Sequence, residues 1–221
     1  YKHTPIGNIP QIDHTYAFIN TAYPCMNEHQ LAIGESTFGG RDELQSDECL
    51  IDCQRLCQLM LERCTTARQA IQMADELTKK YGWNDYGECL TIADKKEVWH
   101  FEIVGPGKGK VGAVWVAQRV PDGHVSVNAN ASRIRYIDLD DPDYFMASDN
   151  VFSVAKENGW FTGDENDFQF CYAYAPKSRN SVAARRREWR VFDLFAPSLK
   201  LHPDDENYPF SVKPDKKISL Q

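Results

Sequence analysis

Uncharged hydrogen-bonding side chains set beside small residues occur at two places in this sequence, and they carry its most suggestive chemistry. The first is MNEHQLAIGESTFGGR at 26–41, where the apolar run Leu31, Ala32, Ile33 gives way at Gly34 to Glu35, Ser36 and Thr37. The second is VNANASRI at 127–134, with Asn128, Asn130, Ser132 and Arg133. Asn amides and backbone N–H groups held at a strand end can stabilise an oxyanion without bringing in a competing charge, which is a requirement of acyl transfer at a carbonyl. Turns use the same residue types, because Gly, Asn and Ser satisfy tight backbone geometry locally. Composition alone leaves both readings open.

Other constellations are weaker. Cys49, Cys53, Cys57 and Cys64 fall along one helical stripe, whereas a tetrahedral zinc site takes short loop-borne pairs from two places; core packing is expected, and no metal. The six histidines include no pair at a ligand-type spacing. Cys25 and His29 are close in sequence, but a turn between them gives no reason for an activated thiolate. Gly105-Pro106-Gly107-Lys108-Gly109-Lys110 lacks the Gly-Lys-Ser/Thr order of a phosphate loop and reads as a hairpin connection. The run Arg185-Arg186-Arg187, followed by Glu188 in a helical context, reads as a solvated helix face.

The balance of the chain limits its partners. A net charge of −7 over 221 residues and a pI near 5.4 argue against nucleic acid or an anionic membrane surface. No run approaches the ~18 apolar residues of a membrane span. Seven cysteines form an odd set, so free thiols and a reducing, cytoplasmic setting are expected, with an exported form left open. The chain opens on Tyr1, from which processing or excision from a longer protein is expected.

Several elements must position these residues. Pro5, Gly7, Pro10 and Pro24 predict extended segments and turns over the first 25 residues, followed by a strand at 30–33. Helical spacing of Leu50, Cys53, Leu56, Cys57, Met60, Leu61 and Cys64, then of Ala67, Ala70, Ile71, Ala74 and Leu77, predicts two helices within 46–81. Thr65 or Thr66 is the expected cap between them, and Gly82 the stop. Period-two runs at 89–92, 97–104 and 111–120 predict an antiparallel meander. The segment 124–137 reads as β-rich, 148–158 and 181–195 as helices, and the tail from Ala196 to Gln221 as loop. Helices in one block and strands in another is an α+β signature.

In order along the chain, MNEHQLAIGESTFGGR, TARQAIQMADELTKKYGW, GECLTIADKKEVWHFEIVGPG, VGAVWVAQRVPDGHVSVNANASRI, EWRVFDLFAPSLKL and YPFSVKPDKKIS together resemble the cysteine-dependent dipeptidases of the N-terminal nucleophile hydrolase superfamily, relatives of the secernins. The resemblance covers nearly the whole chain. It implies an αββα sandwich of two antiparallel sheets with outer helices, and hydrolysis of dipeptides without a metal or other cofactor. In the implied mechanism an amino-terminal Cys attacks the peptide carbonyl. Its own α-amine, titrating near ~8, serves as base.

The resemblance places that nucleophile ahead of the GESTFGG motif, and Cys25 is no substitute because it has no free amine. The expectation is therefore a single partial domain over 1–221, an internal fragment of a longer dipeptidase and inactive by itself. Asn130 matches the position expected to form the oxyanion hole, although Ala131 stands where the family more often has Gln. Ser36 and Thr37 match a polar strand-end position, and Glu35 is a candidate for the substrate ammonium. Arg133 and Arg190 could hold a carboxylate; structural ion pairs are the alternative for both. Two other readings stay open, a nucleophile-less binding protein of secernin type and a linear-amide acylase. Dipeptides are the expected partners, and an uncovered sheet edge would favour homo-oligomers.

Overall fold

The computed structural model describes residues 6–219; Tyr1, Pro5 and Gln221 lie outside them. Seven strands form one antiparallel sheet in the spatial order β1-β2-β3-β4-β5-β6-β8. They are β1 (Phe18–Asn20), β2 (Pro24–Asn27), β3 (Ala32–Thr37), β4 (Glu88–Ala93), β5 (Val98–Val104), β6 (Val114–Arg119) and β8 (Phe145–Ala147). A separate antiparallel pair joins β7 (Val125–Ser126) to β9 (Ser211–Val212). The meander is thus β4–β6, with the glycine-rich 105–113 as the connection between its last two strands.

The first helical block becomes α1 (Cys53–Arg63) and α2 (Ala67–Tyr81). Asp52 accepts from the Arg55 N–H and Thr66 from the Gln69 N–H, each satisfying a donor that the first turn leaves unpaired. Gly82 ends α2 at a φ of +73°, where a Cβ would be strained. Cys49 lies ahead of α1, so the expected helical stripe of four is broken; all four thiols are nonetheless buried core fillers.

Strand alternation sorts the sheet into two faces. Ile33, Leu90, Ile92, Trp99, Phe101, Ile103 and Trp115 share one core with α1 and α2. Cys89, Val104, Val114 and Val116 face the other way, into a second core completed by α3 (Ser153–Glu157) and α4 (Phe170–Tyr174). The short α5 (Pro176–Arg179) leads into α6 (Val182–Phe195), where Ser181 accepts from the Ala184 N–H as cap. Phe192 and Ala196 then pack with Val125, Val127 and Val212. α1 and α2 thus cover one face of the large sheet, while α3, α4 and the β7–β9 pair, which packs against α6, lie on the other.

Two expectations change. The strand expected at 30–33 runs over Ala32–Thr37, so Gly34 to Thr37 belong to the strand and not to a turn after it. The β-rich reading of 124–137 reduces to two residues, because the segment beyond β7 is held by side chains rather than a ladder. The short α4, α5 and β8 carry too few turns or alternations to leave a periodic signal.

The NEHQ part of the first motif has a structural use. Asn27 Oδ1 accepts from the N–H groups of His29 and Leu31, closing the tight turn into β3. Its Nδ2 donates to the carbonyls of Leu61 and Cys64, both at 2.8 Å, at the end of α1. All four hydrogen-bonding positions of this buried amide are filled, which ties the hairpin to the helix.

Candidate functional site

The register of β3 on β4 pairs Ser36 with Cys89 and Glu35 with Leu90. Opposed residues share a face, so Ser36 points away from the helical hairpin while Glu35 and Thr37 point toward it. The three side chains expected together are split by the strand. Thr37 Oγ1 donates to Glu35 Oε1 at 2.9 Å, beside Glu88 on the same face. Burial pushes the Glu88 carboxyl up to about 8, and contact with Glu35 adds to it.

On the opposite face Ser36 meets the second motif. Its hydroxyl donates to Asn128 Oδ1 at 2.8 Å and accepts from the Asn130 N–H at 3.2 Å. Asn128 Nδ2 donates to the Ala131 carbonyl, closing the loop on itself. Asn130 sits at a φ of +54°, a left-handed conformation that Asn tolerates better than most residues. Its Nδ2 donates to the Thr37 carbonyl at 2.8 Å, and its Oδ1 accepts from Arg187 Nη1 at 3.0 Å. A carbonyl accepts only from the NH2 end of an amide and a guanidinium donates only to the oxygen, so the two partners define which way the carboxamide faces. One Nδ2–H is left for an incoming acceptor, on an exposed side chain.

The base of this loop is clamped from the sheet. Glu102 on β5 is fully buried; its Oε2 accepts from Ser132 Oγ at 2.5 Å, and its Oε1 from the N–H groups of Arg133 and Ile134. Burial lifts its carboxyl to about 7 in spite of these donors. Arg133 is buried as well and pairs with Glu188 of α6 at 3.3 Å; Arg179 reaches the same carboxylate at 3.2 Å. Arg133 also donates to the carbonyls of Val127 and Phe210. It is a strut between loop, helix and tail, and Arg190 pairs with Asp193 one turn along α6. Each of the two arginines thus has an ion-pair partner within the fold.

A groove of about 450 Å³ runs along this face beside Ser36 and Asn128. Its floor includes Gly34, Thr91 and His100, and a Cβ added at Gly34 would meet nothing within 4 Å. His100 is buried and held neutral, with burial lowering its pKa to about 3. Its Nε2 is 3.0 Å from Ser126 Oγ, which itself donates to the Phe210 carbonyl. Since Ser126 spends its proton there, Nε2 carries the imidazole hydrogen, and Nδ1 accepts from Thr91 Oγ1 at 3.2 Å. Cys89 lies 3.6 Å from Nδ1, but burial raises its thiol well above the ordinary range, so no thiolate forms.

Among the described residues no cysteine has the surroundings of a nucleophile. Six are buried, and the half-buried Cys25 points its sulfur toward the Ile19 carbonyl at 3.8 Å. Among the described residues no group of three or more His, Cys, Asp or Glu is arranged to hold a metal, and no helix is long and apolar enough to cross a membrane. Arg187 is exposed, in keeping with a solvated helix face, but its guanidinium reaches across the fold to the 129–130 loop, a contact that helical spacing does not show; Glu102 leaves no signal because β5 reads as a simple buried strand.

The chain is thus α+β, with a polar loop fixed over one sheet face and a directed carboxamide on that loop. The family model described as Peptidase family C69 matches residues 11–221, and the chain belongs to that family. A "Probable dipeptidase" of Latilactobacillus sakei is 26% identical over 202 residues, covering 89% of this chain and 41% of the relative. A "Probable dipeptidase" of Salmonella dublin is 28% identical over 192 residues, covering 84% and 43%. A "Probable dipeptidase B" of Lactococcus lactis is 27% identical over 169 residues, covering 75% and 34%. The chain spans about two-fifths of the length of the first two of these relatives.

Proposed function

We propose that this chain forms the oxyanion side of a dipeptidase whose nucleophile, an amino-terminal Cys, is carried by a segment preceding the GESTFGG motif in a longer protein. The observation that carries the reading is the Asn130 carboxamide, directed by Thr37 and Arg187 with one N–H unspent. Membership of the peptidase family and the names of the relatives support the reaction class. The attacking thiolate would come from the Cys, its α-amine taking the proton; collapse of the tetrahedral intermediate releases one amino acid and leaves an acyl-enzyme for water to cleave. Asn130 would hold the negative oxygen, and Ser36 would hold Asn130. Glu35 and Thr37 have no direct part in this proposal, since the strand turns them to the other face.

The αββα reading belongs to the same proposal. The layer order from α1 and α2 through two sheets to α6 supports it, with β7–β9 as the nucleus of the second sheet. In the whole protein with its mature Cys terminus, Asn130→Ala is expected to lower kcat on dipeptides by about 10²–10³ with KM little changed. No turnover by the parent protein on a broad dipeptide panel would refute the reading. Preference for penicillin- or bile-salt-type amides would redirect it to an acylase.

A further inference from the structure

Arg187 lies on the exposed side of α6, and its guanidinium reaches the same loop as the candidate oxyanion donor. Nη1 donates to Asn130 Oδ1 at 3.0 Å, Nη2 to the Ala129 carbonyl at 2.6 Å, and Nε to the Ala183 carbonyl at 3.4 Å. Among its neighbours, Arg186 pairs with Asp204, Arg190 with Asp193, and Arg133 and Arg179 share Glu188. Among the described residues no carboxylate pairs with Arg187. A guanidinium has five N–H donors, so two remain after these bonds, one on each terminal nitrogen. That pair suits the two oxygens of a carboxylate.

We propose that Arg187 binds the free C-terminal carboxylate of the substrate and so restricts this site to peptides that end one residue past the scissile bond. The inference rests on the dipeptidase reading, and spacing supports it. An extended residue spans roughly 3.5 Å, so the terminus of a dipeptide lies about one residue beyond the carbonyl that Asn130 would hold. Arg187 Nη1 is separated from the Asn130 carboxamide by a single hydrogen bond of 3.0 Å. A longer peptide would place an uncharged amide there. Arg133, buried and already paired with Glu188, cannot take this part.

The test compares, in the whole protein, kcat/KM for a dipeptide and for its C-terminal amide. The parent should prefer the free acid. Arg187→Met should lower kcat/KM for both substrates, because Asn130 loses the partner that directs it, but for the acid by about 10- to 100-fold more than for the amide, and Arg187→Lys should restore part of the preference. Equal losses on both substrates would show that Arg187 only positions Asn130 and would overturn the proposal, as would an unaltered preference. A second arm does not depend on turnover: calorimetric titration of a non-cleavable dipeptide isostere and of its amide. Tighter binding of the acid that disappears in Arg187→Met supports the carboxylate site even if the parent cleaves no dipeptide, an outcome that would refute the catalytic reading alone. Equal binding of acid and amide by the parent overturns the site.

Discussion

Across the middle of the large sheet, Leu90, Phe101 and Ala117 lie in one row and face α1 and α2; one residue along the same strands, Cys89, Glu102 and Val116 lie in a row facing the other way. The first row is apolar throughout and stabilises the fold by removing side chains from water. The second carries a fully buried carboxylate whose partners are an irregular loop. Burial of that kind contributes little net stability, because an ion taken from water loses about as much as its bonds return. What it provides is a fixed place for residues 131–134, and through them for Asn130. One face of the sheet makes the scaffold and the other aims it.

Truncation should separate these roles. Phe101→Ala removes a buried ring whose centroid lies 5.3 Å from that of Trp115, and is expected to cost about 3–5 kcal/mol in chemical denaturation. The loss should be global, with the hydrogen exchange of α1, α2 and β4–β6 rising together. Glu102→Ala should cost about 3 kcal/mol, since it strands one hydroxyl and two backbone N–H groups without partners. Its mark should be local: amides of 130–134 exchange faster, while those of α1 and α2 stay protected. If Glu102→Ala loosened the helical hairpin as much as the loop, the division between faces would be wrong.

The two faces also differ in how far sequence shows them. The helical hairpin repeats its apolar residues every three or four positions and has Thr66 and Gly82 at its ends, so α2 is found nearly to the residue. Ser181 and the apolar positions of α6 make that helix equally visible. Residue type flags the stretch 127–134, with its amides among small residues, and the resemblance to the dipeptidase family singles out Asn130 within it. What holds it could not be picked out in this way, since Glu102 acts on the loop at Arg133 from 31 residues away and Arg187 on Asn130 from 57. Neither contact has a periodicity. The split of Glu35 from Ser36 needed only the period of two, but that follows once Gly34 to Thr37 is known to be strand. Ending the strand at Ile33 conceals it.

The smallest expected effect concerns charge. Glu88 ends its row on the helical face, with Oε2 buried and without a hydrogen-bond partner among the described residues; burial raises it to about 8, as it raises Glu102 to about 7. Unfolded carboxyls titrate near ~4.3, so between that pH and these values the folded chain binds more protons than the unfolded one, and stability falls as pH rises. His100 works in the opposite sense, because only the unfolded chain protonates it between about 3 and ~6.5. Of these three groups, the carboxyls alone act above pH ~6.5, and Glu88 alone in the last part of the window. Glu88→Gln keeps the shape and removes the ionisation, so it should add about 1–3 kcal/mol at pH 8.5 and little at pH 5 in urea titrations. Equal pH dependence of parent and variant between pH 7 and 8.5 would mean that Glu88 ionises freely in the fold, and that the helical face tolerates a charge as readily as the loop face does.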